Sequence, residues 1–313
     1  MTIQQLEYII AVDNYRHFAK AAEACYVTQP TLSMMIQKLE DELGVKIFDR
    51  KANPVLPTDV GKLILEQART SVGHFYRVKE VVNNEKNILT GDFKLGIIPT
   101  VAAYIVPELL RTVGATETGI NLIMHETPTP VIIESIINGK LDGGLAATPL
   151  NNPMLMEIPI YYEKFYAYTS PLDSYSENEE IDLQDIDVRN LWLLGEIHCL
   201  RGQALNLCKR KLEGAEDRTA RYESGSLDTL ISIVDYNGGL TVIPEMAAMG
   251  LSEEKQSNLR NIKGNVPVRE VSLIVSKDFV RHNVAGAIVG MIKKSVPKSM
   301  QNPELKQYAV GVS

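Results

Sequence analysis

The chain has 313 residues, 45% of them apolar and 23% charged, with a net charge of −7. That length exceeds one ordinary domain, and the composition excludes a disordered or fibrous chain. The acidic total carries no sign of nucleic-acid binding, although DNA recognition needs only a local basic surface.

Three cysteines do not make a disulfide framework, so any disulfide is expected to be transient and regulatory. No apolar run approaches the roughly 20 residues that span a bilayer. No cationic stretch leads into an apolar one in the manner of a secretory signal. A cytoplasmic protein without a membrane partner is expected.

Residues 1–58 read as short helices with tight turns. Leu6, Ile9 and Ile10 form the apolar stripe of the first; Phe18, Ala21, Ala22 and Cys25 form that of the second, with Cys25 as a small core residue. Val27-Thr-Gln-Pro30 is a turn in which Thr28 suits an N-cap and Pro30 a first helical turn. The third helix carries Leu32, Ile36, Leu39 and Leu43 on one face and Thr31, Ser33, Met34, Gln37 and Lys38 on the others. Gly44 ends it, and Val45 to Pro57 suits a short β wing.

From Thr58 to about Lys86 one helical pattern places Ile64, Ala68, Val72, Phe75, Val78 and Val82 near heptad spacing. Roughly 28 residues would extend about 42 Å. A helix that long suits a dimerising linker, or else a buried helix of the domain that follows.

Beyond Gly91 strands and helices alternate. Strands are expected at Phe93–Ile98, Asn121–Met124, Gly143–Ala147, Lys164–Thr169, Leu191–Leu194, Leu240–Ile243 and Val271–Val275. Helices are expected from Pro99 to Val113, and at Val131–Asn138, Leu227–Tyr236 (capped by Ser226) and Val284–Lys293. This alternation implies α/β folding with largely parallel sheets, in two subdomains with a cleft between them. Sites in such folds lie at strand C-termini, where Thr100 and the turn near Thr127–Thr129 fall. Thr100 suits equally a helix cap or a pocket wall.

Two of the three cysteines, Cys199 and Cys208, are nine positions apart, and His198 and Arg201 flank the first. A cation beside a thiol favours the thiolate, the form that attacks peroxides and disulfides. If the intervening segment is helical, nine residues rise about 13.5 Å. A disulfide needs Cα atoms within roughly 7 Å. Bonding the pair would require that helix to unwind. Two isolated structural thiols are the alternative. No His/Cys cluster has zinc-site spacing, so neither metal nor cofactor is expected.

The stretch Phe18-Ala-Lys-Ala-Ala-Glu-Ala-Cys-Tyr-Val-Thr-Gln-Pro-Thr-Leu-Ser33, with Ile36-Gln-Lys-Leu-Glu-Asp-Glu-Leu-Gly44, resembles the winged helix-turn-helix of LysR-type transcriptional regulators. Ile47-Phe-Asp-Arg50 and Pro57-Thr-Asp-Val-Gly61 look like their wing and linker entry. Within that family, Gly96-Ile-Ile-Pro-Thr100, Gly139-Lys-Leu-Asp142, His198-Cys-Leu-Arg201 and Cys208 resemble the OxyR-type peroxide sensors. Gly202 stands where those sensors usually carry an aspartate.

The resemblance implies a helical winged helix-turn-helix domain (1–58) and a linker helix (59–90). A regulatory domain (91–296) of two Rossmann-like subdomains, like periplasmic binding proteins, would follow. Its first lobe would span about 91–162 and 267–296, its second about 163–266, ahead of a tail at 297–313.

By matching position, Cys199 would be the peroxidatic cysteine and Cys208 the resolving one. Thr100, Thr129, His198, Arg201 and Arg269 would line the peroxide pocket. Thr28, Gln29, Pro30, Thr31, Ser33, Gln37, Lys38 and Arg50 would face DNA; Ser33, Gln37 and Lys38 suit base edges or phosphates in a major groove. Residues 1–58 carry six basic and seven acidic side chains, so cation placement must carry the affinity.

The implied partners are promoter DNA, hydrogen peroxide as signal, further copies of the chain in a dimer or tetramer, and RNA polymerase. The expected function is a peroxide-switched regulator of oxidative-stress genes rather than an enzyme. The alternatives are a LysR-type regulator with a small-molecule effector in its interlobe cleft, and a thiol peroxidase.

Overall fold

A computed structural model describes residues 1–85, 89–115, 118–171, 173–186, 190–208, 224–264 and 267–311. The expected linker end at Lys86, the second lobe's close at residue 266 and the last two tail residues lie outside this set. The chain divides into Met1–Ile88 with Ser135–Lys140, and Leu89–Glu134 with Leu141–Ser313.

In the first unit, α1 (Ile3–Tyr15) opens on a capping box in which Thr2 and Gln5 satisfy each other's backbone donors. The His17 ring caps α2 (Phe18–Ala24). Thr28 caps α3 (Gln29–Leu43), Pro30 lies in its first turn, and Gly44 closes it at φ +70°, as expected. Ile9, Val12, Ala21, Leu32, Ile36, Leu39, Ile47 and Phe48 form the core. Leu43, assigned to the apolar face of α3, is instead exposed in the last turn. Cys25 is partly buried against this core, and burial pushes its thiol pKa up.

The wing is an antiparallel pair, β1 (Phe48–Asp49) and β2 (Leu56–Pro57). Buried Glu40 anchors it, accepting from Ile47 N at 2.9 Å and Phe48 N at 3.3 Å while pairing with Lys46 and Arg50. α4 (Asp59–Glu85) then begins so close to the wing that a Cβ on Gly61 would lie 2.0 Å from Ile47 O. Only glycine fits there. The apolar stripe of α4 splits: Leu65 and Ala68 are buried in the core, whereas Phe75, Val78 and Val82 are 51%, 69% and 49% exposed.

After the first 88 residues, β3 (Thr90–Ile97), α5 (Pro99–Gly114), β4 (Gly119–Glu126), α6 (Thr129–Ile137) and β5 (Gly143–Thr148) follow in a βαβαβ order, with β4 and β5 both parallel to β3. The long β6 (Leu155–Thr169) leads to β7 (Glu180–Ile181) and α7 (Cys199–Cys208). α8 (Leu227–Asn237), β8 (Leu240–Pro244), α9 (Glu245–Met249), α10 (Glu253–Gln256) and β9 (Leu259–Ile262) follow. β10 (Val268–Ser276) and α11 (His282–Lys294) return the chain to the first lobe.

The strand order is β4-β3-β5-β10-β6-β9-β7, with β8 also on β6. The sheets are therefore mixed, not largely parallel: β10 runs antiparallel to both β5 and β6, and β6 antiparallel to β8 and β9. Two extended strands that carry the chain out of and back into the first lobe must run in opposite directions. The expected strand Lys164–Thr169 is only the far half of β6. Leu191–Leu194 is not a strand but two isolated bridges, to Leu240 and Ser224. Ser226 occupies the N-cap of α8 without a side-chain capping bond.

Candidate functional site

β3 and β4 are parallel neighbours, so their C-terminal ends, Ile97 and Glu126, lie side by side. Thr127 N donates to Ile97 O at 2.9 Å and ties the two exits together. Each strand turns into a helix whose first turn presents a threonine. Thr100 is the second residue of α5; Ile98 holds the N-cap position, so Thr100 does not cap the helix. Thr129 opens α6.

Arg269, near the start of β10, is 1% exposed. It donates from Nη1 to Thr100 Oγ1 and from Nη2 to Thr100 O, both at 3.0 Å. Its Nε donates to Glu163 Oε1 at 2.6 Å, and Glu163 is also fully buried. The other Glu163 oxygen accepts from Met246 N at 3.0 Å. Each buried charge is thus paired and hydrogen-bonded, the condition under which burial is tolerated.

Cys199 is the first residue of α7, and its Sγ lies 3.0 Å from Thr129 Oγ1. The cations expected beside this thiol have other partners. Arg201 Nη1 donates to Leu194 O at 3.0 Å, and Arg269 is held by Thr100 and Glu163. Burial lowers the His198 pKa below its ordinary 6.5, against an opposing pull from Glu126, so the imidazole is neutral at neutral pH. The polar contact to the sulfur comes from a hydroxyl, which can both donate and accept.

The segment between Cys199 and Cys208 is helical from one cysteine to the other. Cys208 is buried in the second lobe's core with Leu200, Ala204, Leu230 and Leu240. All three cysteines are thiols. The roughly 13.5 Å rise of such a helix keeps the two apart.

Beside Thr100 a cavity of about 90 Å³ is lined by Pro99, Tyr104, Glu126, Ser226 and Asp228, among others. It lies between the α5 and α8 N-termini, one from each lobe. Burial, with Asp228 assisting, pushes the Tyr104 pKa to about 12, so its phenol is a neutral donor there. Among the described residues, no group of three His, Cys, Asp or Glu side chains could hold a metal ion.

In the first unit, Thr28, Gln29, Pro30, Thr31, Gln37 and Lys38 are exposed and Ser33 partly so. Pro30, Ser33, Met34, Gln37, Lys38 and Asp41 line a shallow groove along α3. Arg50 donates to Ser33 Oγ at 3.0 Å, pairs with Glu40 at 3.3 Å and stacks over Phe18. It ties the wing to α3.

Sequence reading missed Glu163, Met246, Tyr104, Glu126 and Asp228. The one available signal was Glu163 itself, a carboxylate at a strand position flanked at i±2 by Tyr161 and Phe165.

A helix-turn-helix with a β wing, a long helix and a two-lobed α/β unit together define a DNA-binding regulator of ligand-binding-protein architecture. Residues 3–62 match the model of the bacterial regulatory helix-turn-helix proteins of the lysR family. Residues 86–297 match that of the LysR substrate binding domain. The chain belongs to the LysR family of transcriptional regulators.

A "Hydrogen peroxide-inducible genes activator" of Haemophilus influenzae is 32% identical over 88% of this chain and 90% of its own. The "DNA-binding transcriptional dual regulator OxyR" of Escherichia coli is 33% identical over 79% of this chain and 80% of its own. A full-length OxyR variant from Pseudomonas aeruginosa superposes with a TM-score of 0.78 at 30% identity, covering 94% of this chain and 98% of that one.

Proposed function

We propose that the protein is a hydrogen-peroxide-responsive transcriptional regulator of oxidative-stress genes, switched by a reversible Cys199–Cys208 disulfide. One contact carries the reading: Cys199 Sγ lies 3.0 Å from Thr129 Oγ1, at the start of a helix that ends at Cys208. The peroxide-related names of the relatives support it.

In the first step the Cys199 thiolate attacks one peroxide oxygen. The O–O bond breaks, sulfur is oxidised to a sulfenic acid, and the other oxygen leaves as water after taking up a proton. Thr129 is in reach to relay that proton, and Thr100, held by Arg269, offers a second hydroxyl after the neighbouring strand. In the second step the Cys208 sulfur attacks the sulfenic sulfur, the S–O bond breaks and water leaves. That requires α7 to unwind and Cys208 to leave the core.

Peroxide acts as a signal consumed once per switching event, not as a substrate turned over.

Exposed Phe75, Val78, Val81 and Val82 in the second half of α4 support a homodimer, with a tetramer on promoter DNA, contact to RNA polymerase and a cytoplasmic location as further parts of this reading. The exposed face of α3 supports insertion into the major groove through Ser33, Gln37 and Lys38, flanked by Thr28, Gln29, Pro30 and Thr31.

The decisive experiment is a disulfide map and promoter footprint before and after one equivalent of peroxide. A 199–208 disulfide with a changed footprint is expected, abolished in Cys199→Ser. Thr129→Val should slow sulfenic-acid formation by on the order of 10²-fold, the usual loss of a proton-transfer group. A peroxide-dependent footprint change that persists in Cys199→Ser overturns the reading.

A further inference from the structure

The segment after α11 crosses from the first lobe to the second as a strap. Met300 anchors it in the core, and 3-10 turns form at Lys298–Gln301 and Pro303–Tyr308. It then runs beside the start of β10, where Val310 N donates to Val268 O at 2.9 Å and Ala309 bridges Val268. Lys306 Nζ lies 3.6 Å from Glu270 Oε2. These anchors sit on the two residues that flank Arg269.

The far end of the strap reaches α7. Gln203 Nε2 donates to Val310 O, and Asn206 Nδ2 to Gly311 O, both at 3.3 Å. Gln203 and Asn206 are three residues apart, on one face of the helix. Gln203 is fully buried, and Val310 packs against the cluster that contains Leu200, Ala204 and Cys208. A strap tied to β10 on one side therefore holds the middle of α7 on the other.

We propose that Gln203 and Asn206 are positioning residues for the second chemical step: through the Val310 and Gly311 carbonyls they keep α7 wound, and so set how readily Cys208 reaches Cys199. This rests on the disulfide reading above. Drawing the cysteines from the separation of a helix to within roughly 7 Å displaces the backbone between them, and both side chains must release their carbonyls. The first step needs no such movement. The latch therefore slows conversion of sulfenic acid to disulfide and leaves attack on peroxide alone.

Helix propensity makes the test sharp. Alanine is a better helix former than asparagine or glutamine, so propensity alone makes Asn206→Ala and Gln203→Ala slow the unwinding. The latch requires the opposite sign. The experiment is a stopped-flow peroxide reaction on the full chain, with sulfenic acid trapped and the 199–208 disulfide quantified over time.

In Asn206→Ala, and in a chain ending at Ala309, the sulfenic-acid rate should match the wild type. Disulfide formation should be roughly three- to tenfold faster in Asn206→Ala, the loss of one net side-chain hydrogen bond, and faster again in the shortened chain, which also loses the bond from Gln203 to Val310 O. Combining the two changes should give little beyond the truncation alone, because truncation already removes the Gly311 carbonyl that Asn206 holds. An unchanged or slower second step in Asn206→Ala overturns the latch, as do fully additive effects. If the wild type forms no 199–208 disulfide at all, the underlying reading fails and the latch with it.

Discussion

Glu163 Oε1 and Arg269 Nε meet at 2.6 Å with both side chains withdrawn from solvent, and the rest of the guanidinium is spent on Thr100. The carboxylate fixes the fork that fixes the threonine, so a residue of β6 orients a hydroxyl in the first turn of α5. Removing one member of such a pair leaves an uncompensated buried charge.

Glu163→Gln should accordingly destabilise the protein by about 3–5 kcal/mol in urea unfolding, the usual loss on breaking a buried ion pair. The rate of sulfenic-acid formation should fall with it, because Arg269 no longer holds Thr100 in place. Wild-type stability in this variant would show that the pair contributes nothing.

Gly202 is the fourth residue of α7, where glycine costs a helix about 1 kcal/mol relative to alanine. In place of the aspartate usual in the resembled sensors, it weakens the very helix that must open. Gly202→Ala should slow disulfide formation about fivefold and leave the first step unchanged, by the same propensity difference. Equal second-step rates for the two proteins would mean that α7 does not unwind on the way to the disulfide.

Burial lowers the His198 pKa below 6.5. As pH falls through that value the unfolded chain takes up a proton that the folded imidazole refuses. Stability is therefore insensitive to this group above about 6.5 and declines as pH drops from there toward the folded pKa. An NMR titration should place the His198 midpoint below 6.5. His198→Asn should remove that part of the acid-side slope in urea unfolding, and a midpoint above 6.5 would contradict the burial argument.

Lys38 is exposed on the groove-lining face of α3 and has the reach of a phosphate contact. Lys38→Ala should weaken operator and non-operator DNA alike and lower the slope of log affinity against log salt by about 1. Unchanged salt dependence, measured by fluorescence anisotropy, would move Lys38 off the DNA.

The local signals were legible wherever a short stretch carried its own reason. Thr28, Pro30 and Gly44 bound α3 through capping chemistry that needs no distant partner. The period of Leu32, Ile36 and Leu39 names the buried face of the same helix. Leu43 failed because the last turn of that helix runs past the core, and periodicity alone does not show where a core ends. The mixed sheet was hidden because β6 and β10 are each buried over most of their length, which erases the alternation that marks an antiparallel strand.

Sequence by itself determined the family, the winged helix-turn-helix and the spacing of Cys199 and Cys208, because each is written in residues close together along the chain. Only the tertiary structure decided what those residues touch. Glu163 and Arg269 are 106 positions apart, and Thr129 and Cys199 are 70 apart. No local pattern encodes such pairings; they exist because β6 and β10 lie side by side and the lobes close on one cleft. The same holds for the strap, whose aperiodic residues acquire a role only once the fold lays them across α7.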